Sequence, residues 1–457
     1  MKAGLAVLAL VGACGDNVPP SGSFEIVGHA DLGARGMNSA LAIADDTAYV
    51  GSRTDGKGVA IVDISDPAAP VTVGELGLPG EAVPGMSSRE LRAIPDLNLL
   101  IVMNIVCSKD LHACSGLTGT ENLAFYDITD RRRPVPLSTF VPQSNNFHIH
   151  RSPHEMFVYR DPVDRKRVLV YLTTPGGSPQ FEIVDATVPF APMSIVQWDA
   201  VANGGLPATG GQDNILHSVS ASDDGHTAYF SHQLGGLVLV DLTDYVVPVT
   251  DPPNPSPMIK MITPPANALL WSNAAMGPHS AVKVPDRDLL VVTEEVYDSP
   301  FGAGCPWGHM RTVDITDPAK PVVAGEYGIP ENSMTCGGVG AAVVYTAHNA
   351  TVLHDLALIT WYSGGLQAVD ISDAAHPAQL AELRPDPLPA VAVEDPGVGG
   401  KPVSMWSYPI IKDGLIYVVD IRNGLYILRY HGRWGEQVSE RKFLEGNSNL
   451  GAYAPRH

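Results

Sequence analysis

The chain has 457 residues, only 17% of them charged, and a formal net charge of −20. That surplus of carboxylates repels phosphate backbones and anionic bilayers, so it argues against nucleic acid as a partner and favours cationic or neutral ligands. The 45 Gly and 39 Pro suit a chain broken into many short strands.

In chain order, the first segment speaks to compartment. Lys2 precedes an apolar run, Gly4 to Val11, that is too short to span a bilayer. Val11-Gly12-Ala13-Cys14 then resembles a bacterial lipobox. The resemblance implies a lipoprotein signal peptide over 1–13, lipidation of Cys14 and a small polar tether over 14–23. The protein would then sit in the bacterial cell envelope, on the periplasmic or outer-surface side, and touch membrane only through that anchor. Four further cysteines remain, Cys107, Cys114, Cys305 and Cys336. An even count in an exported chain points to two disulfides. Of the possible pairings, Cys107–Cys114 and Cys305–Cys336 are the expected ones.

From residue 24 onward one phrase returns. It reads Val62-Asp63-Ile64-Ser65-Asp66, Tyr126-Asp127-Ile128-Thr129-Asp130, Val184-Asp185-Ala186-Thr187, Val240-Asp241-Leu242-Thr243-Asp244, Val313-Asp314-Ile315-Thr316-Asp317 and Val369-Asp370-Ile371-Ser372-Asp373. Successive Asp residues lie between 56 (Asp185 to Asp241) and 73 (Asp241 to Asp314) positions apart. Repeats of that length built from strand-like runs read as propeller blades of four strands, A to D. In the fifth repeat the strands fall at 280–285, 289–294, 310–315 and 322–327, each rich in alternating apolar and β-branched residues. A final repeat shows strands at 405–412, 415–420 and 424–430 but lacks its fourth. The run Phe24-Glu25-Ile26-Val27-Gly28-His29 looks like the missing strand D. The expected fold is therefore all-β: a seven-bladed β-propeller over 24–434, closed by the N-terminal strand pairing into the last blade, with a C-terminal tail over 435–457.

The phrase resembles the LVIVD-repeat family of β-propellers. That resemblance implies the fold and leaves the chemistry open. The repeated Asp reads as a structural carboxylate near the turn after strand C, because six near-identical sites cannot all be one active site.

Function should lie where the repeats differ. Aligned at the start of strand A, the repeats present Asn38, Arg89, His154, His217, His279, His348 and Trp406. Four consecutive repeats thus offer a histidine near the mouth of the channel. Neutral imidazole is a ligand for Zn, Cu and Fe, so the column is a candidate metal site. Its alternative role is structural, with each His bonding neighbouring backbone. Arg89, His148, His150, His232, Glu294, Glu295 and Trp406 are candidates for a surrounding or substrate-contacting role. No Gly-x-Ser-x-Gly, phosphate-binding loop or His-Glu-x-x-His accompanies them. Two functions remain open: a monomeric lipid-anchored binding module using its insertion-bearing face, and a metal-dependent oxidoreductase or hydrolase with His154, His217, His279 and His348 as ligands.

Overall fold

A computed structural model describes residues 21–55, 57–76, 85–106, 114, 119–143, 152–175, 178–207, 215–246, 257–270, 277–296, 306–333, 343–396 and 402–452. Cys14, Cys107, His148, His150, Cys305 and Cys336 lie outside them.

The described chain is all-β and antiparallel, with propeller-like four-stranded sheets. In the third unit the order is Met156–Arg160, Val168–Thr173, Phe181–Asp185, Met193–Trp198, and the fourth, fifth and sixth units repeat it. The first and second units form one larger sheet, joined by a single Ser52–Ser88 pair. Alternation decides depth along each unit. The second and third strands are mostly apolar and buried on both faces, as in Leu289–Thr293 and Leu366–Asp370. The fourth is exposed, as in Val71–Glu75.

The repeated Asp has a concrete task. Asp63, Asp127, Asp185, Asp241, Asp314 and Asp370 each accept the backbone N–H two residues on, at 2.7–2.9 Å. These are Asx turns that end the third strand. The next acid, in Asp66, Asp130, Asp317 and Asp373, repeats the device at 3.0–3.1 Å. Just before the Val or Tyr of the phrase, the pairing of third and fourth strands slips register, as at Ile61/Val62, Thr312/Val313 and Ala368/Val369. Such bulges increase local twist.

The core lies between units. Phe157, Tyr159 and Tyr171 of the third pack on Val219, Phe230 and Val238 of the fourth. Leu41, Ile43 and Val50 of the first likewise pack on Tyr417, Val419 and Ile427 of the last. Each such side chain contributes about 1.5–3 kcal/mol on burial. In the last unit Ile410–Lys412, Leu415–Asp420 and Gly424–His431 are followed by Ser23–Ala30, which pairs antiparallel with Gly424–His431 from Ser23–His431 to Ala30–Leu425.

Residues 435–452, expected as a tail, cross the inner strands. Phe443–Glu445 pairs with Ile410–Lys412. Ser448 bridges Val158, and the Asn449 amide bonds the backbone of Arg160 at 2.7 and 2.8 Å and the Asp223 carbonyl at 2.8 Å. No repeat phrase marks this segment.

Candidate metal centre

Each histidine of the column is set by the same local rule. The backbone N–H groups of His154, His217, His279 and His348 donate to the carbonyls of Thr173, Ser231, Thr293 and Thr360, at the end of the second strand of the same unit. The hydroxyls of Thr173 and Thr293 then donate to the backbone carbonyls of His217 and His348 in the next unit. Repetition of these bonds brings the rings into series, with centroids 4.3, 4.2 and 4.2 Å apart from His154 to His348. His217, His279 and His348 are buried, while His154 is half-buried.

Glu295 enters this series from the fifth unit. Its carboxylate lies 3.1 Å from His348 Nε2, 3.3 Å from His279 Nε2 and 3.8 Å from His217 Nε2. It also accepts the Tyr362 hydroxyl. The Thr346 hydroxyl holds both flanks of Glu295, donating to Glu294 O at 3.1 Å and accepting Val296 N–H at 2.9 Å. A Cβ at Gly308 would stand 1.6 Å from Glu294 O, so only glycine permits the loops to meet here. Tyr362 adopts a left-handed φ of 42°, a strained backbone of the kind found at functional sites.

Glu294 points elsewhere: it is paired with Arg311 at 2.9 Å. His232 is fully buried and belongs to no ligand group among the described residues. Trp406 borders the column through its carbonyl, which accepts His348 Nδ1–H at 2.5 Å. That bond orients the His348 ring and leaves its Nε2 facing Glu295. Its indole lies 5.4 Å from the His348 ring and beneath the Arg53 and Arg89 guanidinium groups, at 5.2 and 5.6 Å. Arg89 donates to His154 Nε2 at 3.3 Å, and His154 Nε2 lies 2.8 Å from His217 Nε2.

Electrostatics prepare the site for a cation. Burial holds the imidazoles of His154, His217 and His279 well below their usual pKa, reinforced by Arg89, His279 and His348 respectively. They are neutral and have lone pairs to give. Burial raises the Glu295 carboxyl, but its contact with His348, foremost among the lowering influences, holds it well below the ordinary range, so it is an anion.

Two sets of side chains could hold a metal, His279–Glu295–His348 and Glu155–His217–His279, each with its donor atoms within 4.8 Å of one another. Ligands bound at 2.0–2.1 Å lie roughly 2.9–3.4 Å apart at angles from square to tetrahedral. The 3.1 and 3.3 Å separations around Glu295 match that spacing. In addition, both nitrogens of His279 are buried without a hydrogen-bond partner. The residues therefore fit a divalent transition metal held by two imidazoles and one carboxylate, a ligand set suited to Zn, Cu or Fe. His154, expected as a fourth ligand, belongs to neither set; it bonds His217 and Arg89 instead. The essential carboxylate was one of two adjacent acids in sequence, and only the loop geometry separates them. Glu155, the neighbour of His154, was missed altogether.

In overall shape the chain is similar to the periplasmic gluconolactonase of Pseudomonas aeruginosa, with 12% identity and a TM-score of 0.48 over 80% of this chain and 86% of that one. It is also similar to the β-propeller domain of Cps50 from Myceliophteria thermophila, at 11% identity and a TM-score of 0.44 over 86% and 96%. The computationally designed Ika8 protein gives 10% identity and a TM-score of 0.43 over 88% and 99%. No activity passes to this chain from likenesses so coarse. No curated protein sequence matches it. Residues 35–76, the first four-stranded unit with its flanks, match the LVIVD repeat, and the match takes in the first Val-Asp phrase, Val62-Asp63.

Proposed function

We propose that the chain is a seven-bladed propeller and a metal-dependent enzyme, with its metal at His279, Glu295 and His348 and a small molecule approaching past His154 and Arg89. The supporting observation is the buried Glu295 carboxylate set among imidazoles, with both nitrogens of His279 lacking a hydrogen-bond partner. An unmet buried donor or acceptor costs about 1–3 kcal/mol, and a bound cation would offset that cost here. The metal would supply Lewis acidity or redox chemistry. Tyr362, bonded to Glu295, would orient the carboxylate, and Arg89 would attract an anionic group on the substrate. Seven blades in one ring are supported by the core between first and last units and by the pairing of Ser23–Ala30 with Gly424–His431.

A cell-envelope location through lipidated Cys14, and stiffening by Cys107–Cys114 and Cys305–Cys336, belong to the same proposal. Among the described residues no helix is long and apolar enough to cross a membrane. The deciding experiment is elemental analysis of full-length protein purified with its native signal. A transition metal near one equivalent or above, lost in a Glu295→Gln/His348→Ala variant that still folds, is the expected result. Metal-free protein that also fails to take up Zn(II), Cu(II) or Fe(II) overturns the reading.

A further inference from the structure

The proposed metal centre leaves one carboxylate unused. Glu155 is buried, and its Oε1 has no hydrogen-bond partner. Its neighbour Glu90 is paired with Arg92 at 3.1 Å. A carboxylate oxygen of Glu155 nevertheless lies within 4.8 Å of a ring nitrogen of His217 and of His279. Burial, with Glu90 beside it, pushes its carboxyl well above the usual range, and a cation would be needed to hold it ionised there.

His279 carries the second half of the argument. A histidine bound to one metal almost always gives its other ring N–H to an acceptor. His348 does so through Nδ1 to Trp406 O, and His217 Nδ1 lies 2.9 Å from Ser218 Oγ. His279 alone of these three has both ring nitrogens buried without a partner. It is also the residue that the two ligand sets share.

We infer that His279 bridges two divalent cations, one held with Glu295 and His348 and the other with Glu155 and His217. The inference rests on reading His279, Glu295 and His348 as a metal centre. Binding of the second ion releases the proton from the remaining His279 N–H, leaving an imidazolate between the ions. The second ion is the weaker one, because His217 is also bonded to His154.

The test is stepwise loading of the full chain with Zn(II), followed by gel filtration and counting of zinc per chain. Two equivalents are expected at saturation, the second bound at least tenfold more weakly. Glu155→Gln should remove only the second. With Cu(II), the doubly loaded protein should show an electron paramagnetic resonance signal altered by coupling between the ions, and the singly loaded protein should not. One zinc per chain, unchanged by Glu155→Gln, overturns the bridge and leaves the single centre standing. No bound zinc overturns both. If Glu155→Gln does not fold, the zinc count and copper spectrum of the unaltered chain decide.

Discussion

The two halves of the inner column differ in chemistry although the same repeat builds both. From the third to the sixth unit it carries His154, His217, His279 and His348, with Glu295 among them. From the last unit to the second it carries Trp406, Asn38 and Arg89, with Arg53 and Arg89 over the indole. Asn38 has its amide spent on the carbonyls of Asp420 and Ile421 and its side-chain oxygen on Arg35. One half thus offers lone pairs and a negative charge, and the other fixed positive charge. A cation would be drawn to the first half and repelled from the second, and His154 lies on the boundary. A repeat can therefore hold position constant while the side chain at that position sorts the sign of what binds.

The sharpest way to break this contrast is His279→Ala. It should weaken metal binding by more than about 100-fold, the upper end of what loss of an outer partner costs. Equilibrium dialysis against a chelator measures it, and Asp314→Ala, which removes an Asx turn far from the column, should leave metal affinity unchanged.

A second test separates the histidines that serve the site from His232, which does not. Burial lowers the His232 pKa from 6.5 to about 4. The unfolded chain then binds the extra proton first, so stability falls as pH drops from 6.5 toward 4. Between pH 7 and 5 that amounts to about 2 kcal/mol, at about 1.4 kcal/mol per unit. Urea denaturation of His232→Leu at the two pH values should show a fall smaller by that amount than in the unaltered chain.

Arg89→Met addresses the cationic half. Removing its charge should raise the His154 pKa toward the ordinary value and tighten metal binding about tenfold, since a unit charge some ångströms from a dication costs on the order of 1 kcal/mol or more. Competition with a chelator and imidazole proton resonances report the two effects. The smallest change is Thr346→Val. It frees the loop around Glu295 at about 1 kcal/mol of stability, read from thermal unfolding, with metal affinity lowered several-fold.

The frame was legible because it repeats. A Val-Asp phrase that ends a strand in an Asx turn has to look alike each time, and Asp63 through Asp370 do. The histidine column was legible for the same reason, as one position read through successive units. What stayed hidden is what occurs once. Glu294 and Glu295 follow the end of Leu289–Thr293, where strand alternation no longer says which side a residue faces. Thr346 and Tyr362 reach the carboxylate from other parts of the chain, and no spacing predicts that meeting. Phe443–Glu445 escaped because it joins a sheet without carrying the phrase.

Ser23–Ala30 is synthesised roughly 400 residues before Gly424–His431, the strand it pairs with, which is an extreme of non-local contact and predicts slow final folding. Until the last unit exists, one ladder of this early strand has nothing to bond, and an unpaired edge invites pairing with another chain. An interrupted product would therefore be a sticky one, open at both ends. A chain held extended until its last unit is made would avoid that exposure.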